Sequence, residues 1–215
     1  MMNAATPPDR PQPAIELRNA DAADLPTLIE IASEAYRADP LISYFVRSDA
    51  RRSEALRQLF DFCLREQALA HGHVTMTRDG KACAAWMPPA VRPTLPLVQQ
   101  LTLLPRMARI CSLGRVPRLA AVMRLLERHH PRQPPHHYLY LLAVVPERQG
   151  QGLGSALLQA GLRAIDRARA ATYLETATER NLALYERHGF VVTGEARLPS
   201  DGPKLWFLWR KPQID

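Results

Sequence analysis

The 215-residue sequence predicts one α/β (α+β) domain, a mixed central sheet of about six to seven strands flanked by helices. Two observations carry this prediction. The apolar segment Tyr138 to Val145 leads through a glycine-rich loop and an amphipathic helix to a second apolar segment, Thr172 to Ala177. That order is typical of a parallel strand–helix–strand unit. Asp79-Gly80 joins two alternating segments, which is a strong hairpin signal.

Composition narrows the class of protein. The three cysteines are odd in number and lack paired spacing, which favours a reducing compartment over a disulfide framework or a zinc site. The start, MMNAATPPDRPQPA, is polar and lacks the apolar core of a signal peptide. The most apolar long stretch, Leu95 to Val116, contains Pro105, Arg106 and Arg109. We therefore expect a cytoplasmic protein without a membrane segment.

Domain organisation is simple in this sequence. It shows no internal repeat and no linker, so we expect a disordered tail over residues 1–13 and a single domain over residues 14–212. The expected early elements are a strand over Ala14–Asn19, a helix over Asp24–Arg37 capped by Asp21 or Asp24, a helix over Ser53–Ala70, and hairpin strands over His73–Arg78 and Lys81–Met87.

The positive charge is concentrated in one helical segment. Residues 91–135 contain eight arginines and one glutamate, which accounts for the whole net charge of +7. Apolar residues recur among them at helical spacing. Two interpretations stay open: amphipathic helices with solvated arginine faces, or a rim that attracts an anion. We favour the first and expect no nucleic-acid partner.

Gly150, Gly152 and Gly154 stand immediately before the amphipathic helix. A helix N-terminus presents unpaired N–H groups and the positive end of the helix dipole, and glycines let a phosphate approach the backbone. The loop therefore suits a pyrophosphate. A P-loop is excluded because its lysine and spacing are absent. A dinucleotide-binding fingerprint is disfavoured, since Ser155 replaces its third glycine and too little chain follows to complete the sheet.

Two motifs together resemble those of the GNAT superfamily of N-acetyltransferases. Gln149-x-x-Gly152-x-Gly154 follows a strand that ends in Val-Val-Pro, as in motif A of that superfamily. The stretch TERNLALYERHGFVVTGE resembles its second signature, an Asn and a Tyr on a short helix that ends in Gly-Phe. From about Pro105 to Pro212 the chain is similar to puromycin N-acetyltransferases and their relatives. The resemblance implies a V-shaped splay between two central parallel strands.

The resemblance also implies acetyl-CoA as co-substrate. Its pyrophosphate would lie on the N–H groups of Gln149 to Gly154, and its pantetheine arm would run beside Leu142 to Val145. The N–H of Val144 would face the thioester carbonyl and stabilise the oxyanion of a tetrahedral intermediate. The implied coenzyme-binding residues are Leu142, Ala143, Val144, Val145, Gln149, Gly150, Gln151, Gly152, Leu153, Gly154, Ser155, Asn181 and Tyr185.

Proton transfer needs an acid and a base. Tyr185 matches the family's general acid, although a core aromatic is the alternative, and Asn181 could equally cap its helix. Glu175 ends the strand that forms the other arm of the V and is the leading base; a capping or salt-bridging carboxylate is the alternative. His136 or His137 could also serve. The histidine pairs lack an accompanying cysteine or carboxylate cluster, so we expect no metal.

The acceptor is expected to be a small molecule with a primary amine, such as an antibiotic or a metabolite. The expected acceptor-site residues are Tyr36, Asp39, Tyr44, Trp86, His136 and His137; for Asp39 a turn between helices is the simpler interpretation. Two other functions stay open, a regulatory acyl-CoA-binding module without turnover and an acetyltransferase that acts on protein or RNA. We expect a monomer or a homodimer.

Overall fold

A seven-stranded mixed sheet in the order β1-β2-β3-β4-β5-β7-β6 forms the centre of the computed structural model, which describes residues 15–89, 91 and 105–213. The strands are β1 (Leu17–Asn19), β2 (His73–Thr77), β3 (Ala82–Met87), β4 (His136–Val144), β5 (Ala171–Thr176), β6 (Val191–Arg197) and β7 (Lys204–Arg210). The expected disordered tail and residues 92–104 of the basic segment lie outside the described residues.

Helices cover both faces of this sheet. They are α1 (Leu25–Ala35), α2 (Pro40–Phe45), α3 (Arg52–Asp61), α4 (helical residues 105–111), α5 (Val116–His129), α6 (Leu153–Arg167) and α7 (Leu182–Arg187). A π-helical stretch, Phe62–Ala68, and a last turn, Leu69–His71, prolong α3. Both proposed caps contribute before α1, because Asp21 and Asp24 form a capping box around a 3₁₀ turn. Within the described ranges, no helix is long and apolar enough to cross a bilayer.

The two central parallel strands pair only at their start. β4 and β5 are in register at His136↔Ala171, His137↔Thr172 and Tyr138↔Tyr173. Beyond these residues β5 pairs with β7, and β4 pairs with β3 alone. The V-shaped splay implied by the resemblance is therefore present, and it opens toward the carboxyl ends of both strands.

A β-bulge at Tyr140 shifts β4 at the mouth of the V. Leu139 pairs with Trp86 and Leu141 with Ala85, so Tyr140 has no partner of its own on β3. Tyr138, Tyr140 and Leu141 all face the core built with α1 to α5, whereas Leu139 faces α6. The extra residue thus adds one aromatic side chain to the face that carries the N-terminal helices.

Several arginines of the basic segment bind the protein itself. Arg106 makes ion pairs with Asp61 at 2.8 Å and with Glu66 at 2.7 Å. Arg115 donates to the main-chain carbonyls of Ser43, at 3.0 Å, and Val46, at 2.6 Å. The solvated-face interpretation is therefore incomplete, because these arginines tie α4 and the turn before α5 to the N-terminal helices.

The helix after the glycine loop lies close against the sheet at one glycine. A Cβ added to Gly161 of α6 would lie 2.4 Å from Nε1 of Trp86, and the Trp86 side chain is almost fully buried. The indole therefore fills the space that any larger residue at position 161 would need. At the end of α6, Asp166 accepts two hydrogen bonds from the buried Arg210 of β7.

Replacing Gly161 with alanine should destabilise the protein. Alanine favours a helix interior by about 1 kcal/mol, but overpacking against a rigid buried indole costs about 1–3 kcal/mol. We expect the melting temperature to fall by several degrees in a calorimetric scan. Gly114→Ala is the matched control, since a Cβ there meets nothing within 4 Å. A Gly161→Ala protein at least as stable as the wild type would contradict this packing.

Candidate active site

The glycine loop opens the N-terminus of α6. Gly150, with φ of +75°, and the N-cap Gly152, with φ of +82°, both adopt left-handed conformations that glycine tolerates best. A Cβ added to Gly150 would meet nothing within 4 Å. The first N–H groups of the 15-residue helix have no partner in earlier turns. The loop therefore offers a set of main-chain donors on an open surface.

The edge of β4 faces the same opening. Leu142 N–H donates to the Tyr36 hydroxyl at 3.3 Å, and that hydroxyl lies 3.1 Å from the Leu142 carbonyl. The N–H of Val145 points the other way, to the Lys81 carbonyl at 3.0 Å. Because main-chain groups alternate along a strand, the N–H of Val144 points into the V. The Gln149 side chain, which donates to the Val144 carbonyl at 3.1 Å, supports the same orientation.

One cleft of about 1720 Å³ connects the loop, the V and the N-terminal helices. The residues of the implied coenzyme set that line it are Leu142, Val144, Gln149, Gly150, Gly152, Leu153, Gly154, Ser155, Asn181 and Tyr185. Ala143 and Val145 point their side chains into the opposite core, and Gln151 is exposed and donates to the Glu147 carbonyl. Ala143 and Val145 could therefore contact a coenzyme only through the main chain.

Tyr185 reaches the cleft from α7. Its side chain is buried, and burial, reinforced by the carboxylates of Asp39 and Glu175, raises the pKa of the hydroxyl above its usual value. The hydroxyl therefore keeps its proton at neutral pH. Asn181 precedes α7 without a side-chain cap hydrogen bond, so its capping alternative is not observed. Gly189, with φ of +83°, follows His188 at the end of α7 in the left-handed conformation that glycine tolerates best.

Glu175 lies where β5 leaves β4. Burial raises the pKa of its carboxyl to about 7, against the opposing effect of the Tyr138 hydroxyl, which donates to Oε1. Oε2 is buried without a hydrogen-bond partner among the described residues. Glu175 caps no helix and makes no ion pair in that part of the chain, so the structural alternative is not observed. A carboxyl with a pKa near 7 can take up and release a proton under physiological conditions.

Tyrosines surround this carboxyl, and sequence reasoning missed most of them. Tyr36, Tyr138, Tyr140 and Tyr185 line the cleft, and the buried Tyr173 hydroxyl lies near Glu175. Tyr138 and Tyr140 stand two residues apart on a strand, which places them on one face. That spacing was available in the sequence, but the meeting of β4 with Tyr173 of β5 was not.

The expected acceptor-site residues divide into two groups. Tyr36 and Asp39 line the cleft, where Asp39 also caps α2 by accepting from the Ile42 N–H at 3.0 Å. The other four, Tyr44, Trp86, His136 and His137, do not line it.

Each of the four is held elsewhere. The Tyr44 hydroxyl donates to the Pro199 carbonyl at 2.9 Å, and Trp86 packs on Gly161 behind the sheet. His136 is buried beside Trp209 at the paired, closed end of the V, and His137 follows it on the opposite face of β4. Both histidines therefore lie on the part of β4 that pairs with β5, and their role in the acceptor site stays a prediction.

Other cleft residues were not predicted. His130 lines the cleft, and its Nε2 lies 3.2 Å from that of His136. Arg148, Arg180 and Arg187 surround the glycine-loop side, where cations suit phosphate oxygens. Arg148 stands next to the first motif, so its position was a usable signal. Among the residues that the structure describes, no group of three or more histidine, cysteine or carboxylate side chains could hold a metal ion.

Comparison with known proteins finds a family model and solved structures that are similar to this architecture. Residues 116–192 match the family model of the acetyltransferase (GNAT) domain. This segment of the chain is therefore similar to the GNAT acetyltransferase domain. A structure described as histone acetyltransferase HPA2 and related acetyltransferase, from Corynebacterium glutamicum, is 28% identical with a TM-score of 0.71 and covers 94% of this chain and 98% of that one. The polyamine N-acetyltransferase of Drosophila melanogaster, 14% identical with a TM-score of 0.60 over 92% and 100% of the chains, shares the fold.

Curated relatives match over a shorter segment. Mycothiol acetyltransferase from Acidimicrobium ferrooxidans is 42% identical over 77 residues, which cover 34% of this chain and 22% of that protein. The match thus spans about a fifth of the length of the curated relative. The narrower likeness to puromycin N-acetyltransferases stays a prediction.

The stability of the Glu175→Gln variant relative to the wild type should increase as the pH rises. Because the folded-state pKa is raised from 4.5 to about 7, the native state binds the proton more tightly, and this contribution to stability is lost as the pH rises through 7. Glutamine has no proton to lose. The difference in unfolding free energy, measured with urea, should grow in favour of Glu175→Gln by up to about 3 kcal/mol between pH 4.5 and pH 8.

The control for this titration is Glu186→Gln, which removes an exposed carboxylate from α7. Its difference from the wild type should stay nearly constant over the same pH range. A Glu175→Gln difference that is equally flat would show that water solvates Glu175.

Proposed function

We propose that this chain transfers the acetyl group of acetyl-CoA to the primary amine of a small-molecule acceptor. The observation that carries the proposal is the meeting of four features in one cleft: the open N-terminus of α6, the inward N–H of Val144, the protonated hydroxyl of Tyr185 and the carboxyl of Glu175. Each suits one requirement of acyl transfer from a thioester to an amine.

The coenzyme side of the cleft suits a pyrophosphate and an extended amide chain. The N–H groups at the start of α6 would hold phosphate oxygens, with Arg148, Arg180 and Arg187 nearby. The edge of β4 would pair with the amides of the pantetheine arm, which requires the Tyr36 hydroxyl to leave Leu142. Bound there, acetyl-CoA supplies an activated acyl group.

The chain's own groups then account for the proton balance. Glu175, ionised above a pKa of about 7, accepts a proton from the ammonium, and the neutral amine attacks the thioester carbon. The N–H of Val144 stabilises the negative oxygen that develops. When the carbon–sulfur bond breaks, Tyr185 donates its proton to the sulfur and recovers one from the nitrogen of the new amide. One proton in total leaves through Glu175.

The compartment is part of the same proposal. Cys63, Cys83 and Cys111 are free, and burial raises the pKa of each thiol, to about 12 for Cys83. Free, unreactive thiols fit a reducing environment, so we place the enzyme in the cytoplasm. Its proposed partners are the coenzyme and the amine alone.

Ser155→Glu should weaken coenzyme binding while it stabilises the fold. Ser155 is the third residue of α6 and lines the cleft. An acid in the first turn favours the helix dipole by about 0.3–1 kcal/mol, yet it repels a phosphate placed on the same N–H groups. Calorimetric titration should show acetyl-CoA affinity at least about tenfold lower.

Gln159→Glu makes the same charge change one turn later, on the exposed face outside the cleft. It should leave the affinity within about twofold of the wild type. Equal affinity losses in both variants would indicate a general charge effect and remove the pyrophosphate site from α6.

Tyr185→Phe and Glu175→Gln should fail in different ways. The first removes only a hydroxyl, so coenzyme should still bind while turnover falls by about 100-fold or more. The second should also abolish the rise of kcat/KM with pH that ionisation near pH 7 produces in the wild type. Free-thiol release and product mass on a panel of primary amines measure both effects.

Two outcomes would contradict this assignment. Full turnover by Tyr185→Phe would show that another group protonates the sulfur, and an unaltered acidic limb in Glu175→Gln would show that another group accepts the proton. Coenzyme binding without thiol release on any amine would instead indicate a regulatory acyl-CoA-binding module.

A further inference from the structure

The cleft extends beyond Glu175 into an arm between α2, α3 and α5, here called the acceptor arm. Its walls are mainly apolar and combine aliphatic and aromatic side chains, among them Leu41, Phe45, Phe60, Phe62, Leu119 and Met123. The π-helical stretch that prolongs α3 helps to build it, because Phe62 begins that stretch and faces the cleft. Binding of an apolar ligand to such a surface is favourable because it removes apolar area from water, whereas a polar ligand binds with little gain in affinity.

Among the described residues, three carboxyl side chains line the cleft near this arm: Asp39, Glu175 and Glu127, the last on α5 with Arg124. Asp39 and Glu175 lie at the inner end, and burial raises the pKa of both carboxyls. Asp39 accepts from the Ile42 N–H and from the Thr178 hydroxyl, at 3.2 Å for the latter. Glu175 keeps one buried oxygen without a hydrogen-bond partner among the described residues. An ammonium group that donates to this oxygen would satisfy it.

Tyrosine rings add a second attraction for a cation at the same place. Tyr36, Tyr138 and Tyr185 line the cleft around the two carboxyls. The faces of aromatic rings attract a cation, most strongly where water is excluded. The inner end therefore suits one ammonium group, whereas the arm beyond it suits an apolar hydrocarbon group.

We propose that the acceptor is a monoamine with an apolar body, aromatic or aliphatic, which enters with its ammonium toward Glu175 and leaves its body in the acceptor arm. This inference rests on the proposed acetyl transfer and specifies its substrate class. A second ammonium or several hydroxyls on the body would lose water among these apolar side chains, and Glu127, which lines the cleft together with Arg124, offers no net negative charge in compensation. Di- and polyamines and amino sugars are therefore poor acceptors.

The test compares matched amines by binding, in the presence of coenzyme A. Propylamine, hexylamine and phenethylamine form the apolar set; 6-amino-1-hexanol and 1,6-diaminohexane are the polar counterparts of hexylamine. Titration calorimetry should give affinities that tighten by up to about fourfold for each methylene buried. Hexylamine should bind at least about tenfold more tightly than 1,6-diaminohexane, and kcat/KM should follow the same order.

The Met123→Glu variant tests whether the apolar body of the amine binds in the acceptor arm. Met123 lines the arm from α5 and is 46% exposed, so a change there leaves the core intact. The new carboxylate should weaken hexylamine binding and strengthen 1,6-diaminohexane binding. Leu113→Glu is the matched control, since Leu113 is 82% exposed and lies outside the cleft. It should change neither affinity.

Binding and turnover separate the two claims. Length-dependent binding of the apolar amines without acetylation would support the substrate class and overturn the proposed reaction. Tighter binding of 1,6-diaminohexane than of hexylamine to the wild type would overturn the substrate class, as would equal effects of Met123→Glu and Leu113→Glu on hexylamine.

Discussion

The separation of β4 from β5 after Tyr138 is the constraint on which the site depends. A central strand normally pairs on both edges, because a buried N–H or carbonyl without a partner costs about 1–3 kcal/mol. Here the Leu142 and Val144 main-chain groups lack the strand that would satisfy them, and in the described part of the chain the Tyr36 hydroxyl and the Gln149 side chain bond to them instead. The remaining donor is directed at any carbonyl that enters. Because β5 does not pair with β4 beyond Tyr138, the main-chain groups of β4 at this edge are available to a ligand.

The remaining parts of the site follow from that opening. β5 turns away toward β7 and carries Glu175 to the edge of the gap, while the bulge at Tyr140 fills the facing wall with an aromatic ring. α6 starts where β4 ends, so its N-terminus faces the same gap. The indole of Trp86 fixes the distance between helix and sheet at Gly161. Donor geometry is therefore held by main chain and packing, and acceptor geometry by side chains.

Local features of the site were predictable, and pairings across the fold were not. Gly150 and Gly152 adopt left-handed conformations that glycine tolerates best, and Asp79-Gly80 forms a turn. These features depend only on residues that are close together in the sequence. Glu175 could be placed because strand ends meet at a cleft. His136 lies where β4 and β5 pair and does not line the cleft, and the sequence does not reveal where two strands stop pairing. The bonds of Arg115 to the Ser43 and Val46 carbonyls span about seventy residues, so composition alone suggested a solvated charge.

The bulged strand β4 also separates two parts of the chain that contribute to different halves of the proposed site. In the proposed reaction, main-chain groups of β4 and α6, which many side-chain sequences can supply, would hold the acyl donor, whereas side chains of helices before β4 line the acceptor arm. On that proposal, mutations in those helices would change which amine binds while the main-chain groups of β4 and α6 stay in place. Related proteins with this arrangement can accept different substrates while they keep the same main-chain groups on β4 and α6. A family model that matches residues 116–192 would still match each of them.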